Sequence, residues 1–285
     1  MAQDQNDPAL MIGAYRALAG TLYFLGDFET SRQYAMRGVQ IWRSGGVRSH
    51  AEFLDAPAVL CLCYEALSEW HFGEIATCQA TIAEAISLAK GLNDMNSLAL
   101  ALQFAATIAR YNPAEVERLA SELIELSTRH NFSFWLTVGT MFRGWACSAS
   151  GETVEGIAWI EQGIKGFRSS GTVTGLPYFL SLKAEALYLA ERAPEALDAI
   201  NVAQSLAERY EQRYVFSRLH RLRAVFLAAI GADQTKIETS FREAIRTAKE
   251  QKSVSLEKRA EATYAEYRHQ RVSGSGGRGF RLPLC

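Results

Sequence analysis

Apolar residues recur at every third or fourth position along this chain, in blocks of helical length separated by short polar turns. The segment YRALAGTLYFLGDFETSRQYAMRGV, Tyr15 to Val39, shows the unit: an apolar helix, a Gly-Asp turn and a second, amphipathic helix. Similar units recur around Gly73, Pro113, Gly151, Pro194 and Gly231, at successive spacings of 47, 40, 38, 43 and 37 residues. A period near forty predicts stacked helix pairs, because one pair cannot bury its apolar face alone and neighbours must cover it. No sustained two-residue alternation is present, so no strand is expected.

The predicted first helices each carry a small residue where a partner must approach closely: Ala19, Ala66, Ala105, Gly144, Ala184 and Ala224. The second helices present apolar or small residues at helical spacing, as in Ile82, Ala85, Ile86 and Ala89. Glycine stops a helix through the left-handed cap and proline cannot continue its ladder. These signals place helices over 8–25 and 28–43, 56–72 and 74–91, 95–111 and 113–129, 133–150 and 153–169, 176–191 and 194–210, 213–230 and 234–251. A last, polar helix near 254–271 reads as a cap on an open solenoid end. The stretch from Ser44 to Asp55 is the longest internal break, and SGSGGRGFRLPLC reads as a mobile tail.

The unit resembles the tetratricopeptide repeat. Tyr15, Leu18, Ala19 and Leu22 precede Gly26, Phe28 follows it and Gly38 takes the late small position. In the fifth pair Ala184, Ala196 and Ala203 hold the small positions, with Pro194 at the turn and Glu191 where glycine is usual. Longer segments, among them YEALSEWHFGEIATCQATIAEAISLAK, SFWLTVGTMFRGWA and SFREAIRTAKEQKSVSLEKRAEA, resemble the C-terminal repeat region of large bacterial signalling proteins. Those proteins carry an adenylate/guanylate-cyclase-like or winged-helix domain and a P-loop ATPase ahead of the repeats. The resemblance implies the repeats and their regulatory context, not the catalytic parts.

The chain itself offers no phosphate-binding loop, since no G-x-x-x-x-G-K-[ST] string occurs. Cys61-Leu62-Cys63 is the best-looking metal pair, but residues two apart on a helix point about 200° apart, which favours packing. His50, His71, His130, His220 and His269 fall in different units. Ser87 to Lys90 fits an S-x-x-K string without its companion motifs. A lone Glu185 has no catalytic partner in sequence reach.

Net charge is −1, which calls for neither nucleic acid nor an anionic membrane. The charge is uneven: from Arg242 onward ten Lys/Arg face five Asp/Glu, or +5, leaving −6 for the remainder. The start, MAQDQNDPAL, lacks a basic region followed by an apolar stretch, and no run of 18 apolar residues occurs. A signal peptide and a membrane span are therefore not expected, and the compartment is expected to be the cytoplasm. In Arg213 to Arg223, the residues Arg213, His220, Arg221 and Arg223 spread over one helical face, read either as a solvated face or as an anion contact. The aromatic clusters Phe132, Phe134, Trp135, Phe142, Trp145 and Tyr178, Phe179, Tyr188 serve either as core or as groove anchors.

The sequence thus leads to an all-α, right-handed superhelical solenoid of about six antiparallel tetratricopeptide-like pairs plus a capping helix. It spans 1–271, with 272–285 as a flexible tail. The expected role is a non-catalytic protein-interaction or effector-sensing module of a bacterial signalling or transcription-regulatory system, without cofactor or metal. A protein segment or small effector is expected in the concave groove, with no direct nucleic-acid or membrane contact; a cyclase or ATPase domain is a further candidate partner. Carried over from the repeat resemblance, the groove positions are Met141 and Trp145, then Tyr178, Ser181, Glu185 and Tyr188, then Arg218 and Arg221, expected to be exposed in the groove; the alternative is that Trp145 and Tyr188 are buried between pairs through a register shifted at Glu191. The alternatives are a piece of a nucleotide cyclase or ATPase whose catalytic domains lie outside this chain, and a stand-alone scaffold.

Overall fold

The computed structural model describes residues 7–45 and 56–272. Among them thirteen α-helices and one 3-10 turn, Arg213–Val215, account for all regular structure. The helices are α1 Pro8–Leu25, α2 Phe28–Arg43, α3 Pro57–Phe72, α4 Ile75–Gly91, α5 Met95–Ile108, α6 Pro113–His130 and α7 Ser133–Ala149. They continue as α8 Thr153–Ser169, α9 Leu176–Leu189, α10 Ala193–Arg209, α11 Phe216–Ala229, α12 Gln234–Glu250 and α13 Val254–Val272. Six antiparallel pairs, α1/α2 to α11/α12, stack in chain order and α13 covers the last, so the fold is the predicted helical-repeat solenoid. The expected tail, and most of the predicted break from Ser44 to Asp55, lie outside the described residues.

One local device ends nearly every helix. The residue after the C-cap turns left-handed, at Gly26 (φ 85°), Gly73 (φ 79°), Gly151 (φ 109°) and Gly231 (φ 67°) within pairs, and at Asn93, Asn131, Glu211 and Lys252 between them. The next N–H then reaches back to a carbonyl of the last helical turn, as Asp27 does to Leu22 at 2.9 Å and Glu74 to Glu69 at 2.9 Å, which satisfies two orphan carbonyls per end. In the fifth pair Glu191 adopts the same conformation at φ 63°, without glycine's freedom. The prolines act differently from expectation. Pro113 and Pro194 do not form the turns but sit in the first turn of α6 and α10, where a missing N–H costs nothing.

The small first-helix residues do permit close approach. Ala19, Ala66, Ala105, Ala184 and Ala224 are buried. At Gly144 an added Cβ would stand 2.6 Å from the Gly156 carbonyl oxygen and 2.8 Å from Ile160 Cγ1, so α7 and α8 pack backbone to backbone. Cys61 fills the equivalent space over Gly38, where a Cβ would meet its Sγ at 2.5 Å. Burial pushes the Cys61 thiol up to about 12, the behaviour of a packed, unreactive cysteine. A single apolar core runs from Ile12 in the first pair to Tyr267 in α13.

The solenoid does not end open. Lys252 Nζ pairs with Glu29 Oε2 at 2.6 Å, Tyr23 and Phe24 of α1 enclose Tyr214 at centroid distances of 5.3 and 5.1 Å, and His71 Nδ1 meets Ser253 Oγ at 2.7 Å. The expectation of a polar cap on a free end is corrected. Leu256, Ala260, Thr263 and Tyr267 form a buried stripe on α13, and its start docks on the last turn of α3, where Ser255 Oγ donates to the Trp70 carbonyl. The stack therefore closes on itself, and the faces that an open solenoid would leave as a groove point into an enclosed centre.

Candidate functional site

The centre is polar. Glu185 on α9 accepts from Trp145 Nε1 of α7 at 3.0 Å and from Arg218 Nη2 of α11 at 2.8 Å, and pairs with Arg221 Nη2 at 3.6 Å. Arg218 Nε also donates to Ser181 Oγ at 2.8 Å, and that hydroxyl donates to the Tyr178 carbonyl at 2.6 Å. The Arg218 guanidinium lies 5.4 Å from the Tyr178 ring centroid. Glu185, Arg218 and Arg221 are each only 3% exposed. Successive first helices bring them together because Glu185, Arg218 and Arg221 occupy inward positions one repeat apart.

Two residues in the turn after α5 extend the set. Arg110 lies over the Trp70 ring at 4.2 Å and 5.0 Å from the Tyr111 ring centroid, and Arg259 of α13 lies 3.2 Å from that same Tyr111 centroid. Burial pushes the Tyr111 phenol up, but Arg110, Arg259, Arg218 and Arg221 together outweigh it and bring the group down to about 8. Burial, reinforced by Arg259 and Arg218, lowers Arg221 to about 10 against the pull of Tyr111 and Glu185. Burial also lowers Arg259. Arg110, Arg218 and Arg221 thus share one neighbourhood with Glu185, an excess of two positive charges among these four groups. Tyr178, by contrast, is held above its usual range by burial.

Several polar atoms in this neighbourhood are buried without a hydrogen-bond partner: Arg110 Nε and Nη2, Arg218 Nη1, Arg221 Nη1, Tyr111 OH and Tyr178 OH. Buried donors are nearly always satisfied, and an orphan costs about 1–3 kcal/mol, more when charged. Their convergence is the most unusual chemistry in the described structure.

Of the eight groove positions expected from the sequence, Trp145, Tyr178, Ser181, Glu185, Arg218 and Arg221 do meet, but buried rather than exposed. Closure of the stack has turned the groove inward. Met141 does not join them: it packs between α7 and α8, where a Cβ on Gly163 would meet its Cγ at 2.4 Å. Tyr188 is half-buried against Phe226 at 5.2 Å. The solvated-face reading of Arg213 to Arg223 fails for Arg221, and Arg223 instead donates to Gln204 Oε1 at 2.8 Å. The other aromatics serve the core, with Phe142 against Phe179 at 5.7 Å and Phe134 against Phe167 at 5.3 Å. Sequence reasoning missed Arg110, Tyr111 and Arg259. The sole local signal was Arg259 directly beside the stripe Leu256-Ala260-Thr263.

The chain is similar to several known proteins. The family described as anaphase-promoting complex subunit 5 matches residues 57–111 and 201–269. These two stretches hold Arg110 and Tyr111 on one side and Arg218, Arg221 and Arg259 on the other. An uncharacterized protein of Rhizobium meliloti (strain 1021) is 25% identical over 271 residues, covering 93% of this chain, which spans 26% of the relative's length. Among solved structures, Bacillus thuringiensis PlcR in complex with the peptide PapR7 and DNA aligns with a TM-score of 0.45 at 12% identity, over 87% of this chain and 73% of PlcR. The apo form of RapI aligns with a TM-score of 0.40 at 13% identity, over 93% and 86% of the two chains. No helix among the described residues is long and apolar enough to cross a membrane.

Proposed function

We propose that this chain is a non-catalytic sensing or interaction module of a bacterial regulatory protein, binding a small effector or a protein segment through the inward face of its first helices. The observation that carries the reading is the set of unpartnered, buried donors on Arg110, Arg218 and Arg221. A solenoid core has no structural need for them, whereas a bound ligand would satisfy them and bias the closed form of the stack. A stand-alone scaffold would leave these donors unexplained. The second reading, a piece of a larger cyclase- or ATPase-containing regulator, is supported by the span of about a quarter of the Rhizobium relative's length. Both readings give the chain itself no catalytic role. Purified protein is expected neither to hydrolyse ATP nor to form cyclic nucleotide. Turnover that survives repurification and disappears on one point substitution in this chain overturns the proposal.

A further inference from the structure

Resting on the sensing reading, we propose that the enclosed cluster of Arg110, Arg218, Arg221 and Arg259 with Tyr111 and Tyr178 is a binding site for a multiply charged oxyanion, a phosphate or polycarboxylate group of a small effector. Three features converge on this class. The first is charge: the guanidinium groups of Arg110, Arg218 and Arg221 against Glu185 leave an excess of two that a doubly charged anion would cancel. Buried charge without compensation is costly, and a bound counter-charge relieves it. The second is donor geometry. Arg218 and Arg221 each spend one Nη2 on Glu185 and keep Nη1 buried without a partner, while Arg110 keeps both Nε and Nη2. The Nε and Nη2 of one guanidinium form the fork that grips two oxygens of a carboxylate or phosphate. The third is the company of phenols. Tyr111 and Tyr178 hydroxyls are buried without partners and can each donate to an oxyanion.

Neutral or cationic ligands fit poorly. They would leave the guanidinium excess in place, and a cation would add to it. A lone carboxylate would satisfy one fork only, so binding should strengthen with the charge of the ligand. Tyr111 and Arg259 lie at the edge of the cluster and retain part of their solvent exposure.

The test uses the full chain with inorganic phosphate and citrate as probes, titrated at constant ionic strength with chloride as the counter-ion. The first readout is calorimetric and thermal: a saturable rise in melting temperature and a measurable heat for at least one probe. Arg110→Gln and Arg221→Gln are each expected to weaken that binding about 10- to 100-fold, the usual effect of losing a charge-assisted hydrogen bond. The second readout does not depend on stability. Ultraviolet difference absorbance should show one phenol ionising near pH 8 in the free protein, absent in Tyr111→Phe, and moved to higher pH by the bound anion. Saturation by phosphate alone, or by citrate alone, supports the site and identifies its head group. Absence of any saturable response to either probe, with the Tyr111 transition unmoved, overturns the anion assignment. If a neutral or cationic compound instead binds and loses affinity in Tyr178→Phe, the sensing reading survives and the anion class fails. ATP turnover by the chain would overturn the sensing reading itself.

Discussion

His71 and Ser253, 182 residues apart in sequence, share a buried hydrogen bond of 2.7 Å between Nδ1 and Oγ. The imidazole is stacked on Phe28 at 3.5 Å, with Trp70 edge-on at 5.0 Å. This contact joins the second pair to the start of α13 and so helps fasten the closed stack. Burial, and then the charge of Arg110, hold His71 well below its usual range, so it stays neutral in the folded chain.

That neutrality has a defined pH signature. The unfolded chain binds a proton on this histidine below about pH 6.5 and the folded chain does not. The stability His71 contributes is therefore complete above about 6.5 and lost as pH falls below it, by at most about 1.4 kcal/mol per pH unit. Glu65 acts oppositely. Burial, with Glu69 beside it, raises its carboxyl to about 7, so its contribution is present at low pH and lost as pH rises from about 4.5 through 7. Chemical denaturation at pH 7 and pH 5 is expected to show His71→Gln gaining on the parent chain as pH falls, and Glu65→Gln losing ground. Parallel profiles for all three proteins would refute the assignment of these two groups.

Glu191 gives a second prediction. It occupies the left-handed turn that Gly26, Gly73, Gly151 and Gly231 occupy in other pairs. A side chain there costs about 1–2 kcal/mol, partly offset by the extra freedom glycine has when unfolded. Glu191→Gly is expected to stabilise the chain by up to about 1 kcal/mol. Gly73→Ala should do the reverse, through backbone strain, because its Cβ would stand 3.6 Å from the nearest atom, Val254 Cγ1. Urea midpoints measure both, and destabilisation by Glu191→Gly would contradict the turn's conformation.

Such local rules explain why the pairs and their boundaries were legible in the sequence. Helix periodicity, the turn at Gly26 and the small residue at Gly144 are set by neighbours within one unit. The site was legible only in part. The register that puts Glu185, Arg218 and Arg221 on one inward face is also a near-neighbour property, and the three side chains meet there. Their burial depends on Lys252 meeting Glu29 and Ser253 meeting His71, which follows from the accumulated rotation of six pairs. Small changes in each pair's angle decide whether the ends touch, and no residue pattern encodes that sum visibly. Arg110 and Arg259 join the same centre for the same reason. Met141 was misplaced because its position on α7 faces the glycine-lined contact with α8, where the helices lie too close for an inward groove.

The last prediction concerns the sole carboxylate at that centre. Expected exposure would have made substitutions of Tyr178, Arg218 and Arg221 nearly neutral, within about 1 kcal/mol. Their burial reverses this. Removing one partner of a buried ion pair costs about 3–5 kcal/mol because the other charge is left uncompensated. The two sides of the Glu185–Arg218 pair are not equivalent, however. Arg218→Met leaves Glu185 with Trp145 Nε1 and Arg221 and lowers the excess from two positive charges to one. Glu185→Gln deprives Arg218 and Arg221 of their common counter-ion and raises the excess to three. Denaturant unfolding is therefore expected to rank Glu185→Gln as the more damaging change, by more than about 1 kcal/mol. Added phosphate or citrate should restore more stability to Glu185→Gln than to the parent, since the ligand then replaces a charge the protein has lost. If Arg218→Met is equally or more damaging, or if anions fail to favour Glu185→Gln, the centre is held by packing around Trp145 and Tyr178 rather than by its charge.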